Sequence, residues 1–113
     1  MQDFPLDADG DALRRLQKYA DFSKPMTIDF QVALPNEDAA KKFAKIVYDL
    51  GFRVKVYPSP KCALPWTCEC SSRILISYQA VIAIQKELAE LSKLFNGFPD
   101  GWGSFGNNQP TAK

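Results

Sequence analysis

Three cysteines, a run of carboxylates near the N-terminus and a glycine-rich aromatic segment near the C-terminus hold the chemistry open to this 113-residue chain, which has no histidine. Without imidazole there is no Ser–His or Cys–His nucleophile, no imidazole general base and no mixed Cys/His zinc site. Carboxylates, lysines, tyrosines and thiols remain. Cys62, Cys68 and Cys70 can offer three thiolates to a soft cation such as zinc or copper(I). Cys68 and Cys70, however, stand two residues apart in a stretch that alternates like a strand, so they share a face with Trp66. Buried there, they act as small hydrophobes. A thiol- or metal-handling protein is therefore the alternative reading, and core packing the leading one.

The other motifs are weighed in the same way. Asp7, Asp9 and Asp11 have the spacing of a calcium loop, but Gly10 stands fourth and Lys18 occupies the place of the closing glutamate. A capped helix start explains them better. Residues 101–106 spell G-x-G-x-x-G, yet they follow a helix and only seven residues come after them, so no dinucleotide fold can be built around them. Asp29 lies mid-strand on the polar face, and Glu69 lies on the polar face of a neighbouring strand. As an acid–base pair they would need a cleft that excludes water; on an open sheet they are solvated side chains. The most unusual stretch is Asp100-Gly101-Trp102-Gly103-Ser104-Phe105. Its glycines imply turns or close chain approach, and its aromatics either clasp the C-terminus onto the domain or form a recognition surface.

Which elements place these residues follows from periodicity. Residues 9–20 form a helix, with Asp9 or Asp11 as cap and Leu13, Leu16 and Tyr19 as its apolar stripe. Met26, Ile28, Phe30, Val32 and Leu34 alternate with smaller or polar residues as one face of a strand. Asn36 caps a helix that Gly51 ends, with Ala39, Phe43, Ile46, Val47 and Leu50 on one side. Residues 52–57 and 66–73 are strands joined by a proline-rich link, and a long helix runs from about Tyr78 to Phe95 until Asn96-Gly97 stops it. The order is helix, strand, helix, strand, strand, helix, tail. A helix between the first two strands and an eight-residue link between the next two, which form an antiparallel pair, predict a split βαβ arrangement. This is an α+β open-faced sandwich, with helices on one face of a mainly antiparallel sheet.

Length and composition bound the rest. The chain has the size of a single domain, 1–113, with a compact part at about 7–107 and a polar tail at 108–113. Fourteen basic and thirteen acidic residues leave a charge of +1, without the footprint of a dedicated nucleic-acid binder. The charge is uneven: residues 24–73 hold eight bases against five acids. No apolar run is long enough for a membrane span, and the acidic start lacks the pattern of an export signal, so a cytoplasmic protein with free thiols is expected. The exposed edge of strand 52–57 could pair with its own copy in a homodimer.

DADGDALRRL near the start, KPMTIDFQVALP on the first strand, Gly51-Phe52 at the second and DGWGSFGN at the end resemble the bacterial regulator of ribonuclease E activity B family, in order and spacing, from about Asp7 to Asn107. The resemblance implies a ferredoxin-like α+β fold and a non-enzymatic cytoplasmic role: binding ribonuclease E as a protein partner and restraining RNA decay. It implies no catalytic residue, cofactor or metal. Inhibitors of that family are strongly acidic, whereas this chain is nearly neutral. The residues assigned to partner binding are Asp29, Asp100, Gly101, Trp102, Gly103 and Phe105.

Overall fold

Asp7 opens the first helix, α1 (Ala8–Gln17), by accepting the Gly10 N–H at 2.7 Å. The cap is therefore Asp7 rather than Asp9 or Asp11, which fall in the first turn, where their charge suits the helix dipole. Leu13 and Leu16 are buried as expected, but Tyr19 lies past the helix end and is 51% exposed. The computed structural model describes residues 4–107; the polar tail expected at 108–113 lies outside them.

The alternating segment forms β1 (Met26–Leu34), whose odd members Met26, Ile28, Phe30, Val32 and Leu34 are all buried. Each such side chain contributes about 1.5–3 kcal/mol through removal from water, which fixes the strand's register against the helices. Asn36 caps α2 (Glu37–Asp49) by accepting the Ala39 N–H at 2.8 Å, and Gly51 ends it in a left-handed conformation, φ +108°. Of the expected apolar face, Ala39, Phe43 and Val47 are buried, whereas Leu50, the C-cap residue, is 54% exposed. β2 (Arg53–Pro58) and β3 (Trp66–Ile74) pair antiparallel, and Ser77 caps α3 (Tyr78–Lys93).

The C-terminal segment departs from expectation. Phe98–Gly103 is not part of a tail but a strand, β4, antiparallel to β1. Its proline and two glycines are residues that central strands avoid and edges tolerate. The pairing shifts between Gln31 and Val32, where β4 bulges at Asp100 and Gly101 turns at φ +129°. With β4 included, the sheet order is β2-β3-β1-β4 and every neighbouring pair is antiparallel. After α1, the chain runs βαββαβ with both split βαβ units interleaved, which is the ferredoxin-like arrangement. The helices pack on the face that carries Phe30, Cys68 and Cys70, and leave the other face open.

Candidate functional site

Strand register determines what the open face displays. Asp29 sits opposite Ser71, and Gln31 opposite Glu69, so the two carboxylates are diagonal neighbours at the centre of the sheet. Asp29 Oδ1 accepts the Ser71 hydroxyl at 2.6 Å, and Glu69 Oε1 accepts the Tyr57 hydroxyl at 3.2 Å. Partial burial, and then the negative charge of Glu69, push the Tyr57 phenol above its ordinary range. Arg53 and Lys55 project from β2 on the same side, across from Ser71 and Glu69, and Arg73 follows on β3. The carboxylates therefore occupy the middle of an open surface. The water-excluding cleft that acid–base chemistry would need is not built around them.

At the other edge, Phe98 is 40% exposed and Phe105 is 77% exposed. Phe105, Ser104, Gly103 and Trp102 border a shallow depression together with Asp29, Gln31 and Glu69. The register places Asp29 opposite Gly103 and Gln31 opposite Gly101, and absent side chains at both glycines leave the sheet face bare there. Asp100 is exposed at the bulge. The structure thus brings Asp29, Trp102, Gly103 and Phe105 to one depression.

Trp102, however, turns its ring to the core side of the sheet. It pairs with Phe30 and packs against the core, and its Nε1–H donates to Asp9 Oδ1 at 2.8 Å. The same oxygen accepts Gln85 Nε2 at 3.2 Å, so Asp9 ties α1 to α3 and to β4. Next to it, Asp7 Oδ2 accepts the Tyr78 hydroxyl at 2.7 Å. That bond, followed by the Gly10 N–H, lowers the Asp7 pKa, and the same contact raises that of Tyr78. Ser104 donates its hydroxyl to the Thr27 carbonyl at 2.7 Å. Asn107 donates to the carbonyls of Asp21, Lys24 and Pro25 and accepts the Asp21 N–H. The two sequence motifs at either end of the chain are thereby stitched to each other.

The remaining candidates are dispersed. Asp7, Asp9 and Asp11 are each engaged separately, Asp11 in an ion pair with Arg14. Cys62 is exposed in the β2–β3 link, whereas Cys68 and Cys70 are buried with sulfurs 3.9 Å apart. The contact with Cys68 and burial both drive the Cys70 thiol far up, which holds it protonated. Among the described residues no three Cys, Asp or Glu side chains converge on a metal position. Alternation puts Arg53 and Arg73 on the polar sides of their strands but does not show them together. They are twenty positions apart, and only strand register reveals that they are neighbours.

Fold and surface together define an open-faced α+β sandwich whose charged and aromatic groups are spread over a sheet face rather than gathered in a cleft. The family model described as regulator of ribonuclease activity B matches residues 6–104. The chain belongs to that family, as the end motifs led one to expect. No curated protein matches it.

Proposed function

We propose that this domain binds a ribonuclease, ribonuclease E in the first instance, and restrains RNA cleavage by covering or distorting the enzyme's surface. The observation that carries the reading is membership of a family of ribonuclease regulators over nearly the whole chain. The open sheet face supports it, since the helices cover only the opposite side. The docking surface runs from Asp29 across Gly101 and Gly103 to Asp100 and Phe105, with Trp102 holding β4 in place from the core side. Phe105 offers apolar area beside Asp29, and an aromatic anchor next to a charge is a common composition for a binding hot spot.

A homodimer through β2 is less favoured. The strand is a sheet edge, but Arg53 and Lys55 project from it, and antiparallel pairing of two copies would bring these cations close together. Nor does the basic stretch of the sequence form a nucleic-acid track. Lys41, Lys42 and Lys45 each pair with Glu37, Asp38 or Asp49 on their own helix, at 3.1 Å.

The test is an RNA-cleavage assay with purified ribonuclease E, with and without this protein, together with a direct measurement of complex formation at low and moderate salt. Complex formation and slower cleavage are expected. Phe105→Ala should weaken the complex by about 1–2 kcal/mol at unchanged melting temperature, and Asp29→Lys by a similar amount in a domain that still unfolds cooperatively despite losing the bond from Ser71. Unchanged cleavage with no complex at either salt would end the proposal.

A further inference from the structure

At one end of the sheet, β3 runs on past the start of β2. Arg53 pairs with Ser71, so Ser72, Arg73 and Ile74 extend beyond the first residue of the neighbouring strand. The chain that would lie beside them begins at Gly51, whose missing side chain has nothing within 4 Å of where it would stand. The result is a depression of about 400 Å³, lined by Thr27, Gly51, Arg53, Ser71, Ser72 and Arg73. Arg53 and Arg73 both stand on its open-face side, exposed, and neither forms an ion pair or side-chain hydrogen bond among the described residues. The Ser71 hydroxyl is committed to Asp29 at 2.6 Å, and Ser72, opposite the buried Ile28, turns its side chain to the core face, which leaves Thr27 to supply a hydroxyl and the β3 backbone to close the floor.

We infer that this depression binds a terminal phosphate, with Arg53 and Arg73 as its cationic walls. Two planar forks of N–H donors match the oxygens of a phosphate monoester and balance its charge of nearly −2, where a single carboxylate would leave one cation unmatched. The surroundings select a compact anion over an extended one. Asp29 and Glu69 border the adjoining depression, which also contains Arg53 and Lys55, so a polyanion continuing across the sheet would meet two carboxylates. The site is separate from the Phe105 side of the face and does not depend on ribonuclease binding.

Nuclear magnetic resonance titration of the whole protein with inorganic phosphate tests this, with chloride at matched ionic strength as control. Saturable shifts are expected at the amides of Gly51, Arg53, Ser71, Ser72 and Arg73. Arg73→Ala and Arg53→Ala should each weaken binding by roughly tenfold, and Arg73→Lys, which keeps the charge but not the fork, by less. A parallel titration with adenosine 5′-monophosphate and with adenosine separates a nucleotide's phosphate from free phosphate. Tighter saturation by the monophosphate than by inorganic phosphate, with none by adenosine, assigns a nucleotide end as the ligand; equal saturation by both assigns phosphate alone. Shifts that stay linear, that chloride reproduces, or that persist unchanged in both alanine variants would overturn the inference.

Discussion

Asp9 shows how one side chain can decide the meaning of a motif. Its carboxylate receives the indole N–H of Trp102 and the amide of Gln85, so an acid that reads as part of a calcium loop or a helix cap is the knot between the two ends of the chain. Trp102→Phe keeps most of the ring and removes the N–H, and should cost about 1 kcal/mol; Trp102→Ala also removes packing and should cost about 2–4 kcal/mol. A double-mutant cycle of Asp9→Ala with Trp102→Phe should give a coupling energy of about 1 kcal/mol in urea unfolding, and zero coupling would mean the bond contributes nothing. Asp7 makes a pH-dependent contribution. Its folded pKa lies below the unfolded value because Tyr78 and the Gly10 N–H favour the carboxylate. The stability it contributes is therefore complete above the usual carboxylate range, about pH 4, and is lost as pH falls through the lower folded pKa. In Tyr78→Phe that part of the acid limb should flatten, as measured by stability between about pH 5 and pH 2.

Among the elements, β4 owes its position to glycines. A Cβ on Gly97 would stand 2.4 Å from the Ala33 carbonyl oxygen, so only glycine lets the chain leave α3 and run alongside β1. Gly97→Ala should push the two apart, destabilise the domain by about 1–3 kcal/mol and speed hydrogen exchange of the β4 amides before those of β3. Protection of β4 equal to that of the wild type would show that the strand yields without loss. The two kinds of strand also explain what a reader of the sequence can see. β1 announces itself because five alternating apolar residues face one core, whereas Phe98-Pro99-Asp100-Gly101-Trp102-Gly103 sends one large side chain inward and bulges midway. Its period is broken and its composition is that of a turn. The legible clue was topological: a helix following the third strand must return the chain to the sheet, and the free side of β1 was where it could pair.

For the whole molecule, the buried thiols report whether the core opens. Cys62 should react at once with an excess of thiol reagent, while Cys68 and Cys70 should react only as fast as the domain unfolds, so that one equivalent is fast and two are slow. Rapid modification of all three would revive the thiol-handling reading. Local rules made legible the cap at Asn36, the alternation of β1, the stop at Asn96-Gly97 and the family to which the end motifs point. Those features depend on neighbours within a few residues, or on patterns that recur in order along the chain. Tertiary structure alone decided that Trp102 faces the core while Phe105 lies on the surface, that Asp9 rather than solvent receives the indole, and that Arg53 and Arg73 border one depression. Each of these depends on which strand lies beside which, and in what register. A shift of one residue would turn every side chain of a strand to the other face, and what fixes the register is the burial of residues far apart in the chain.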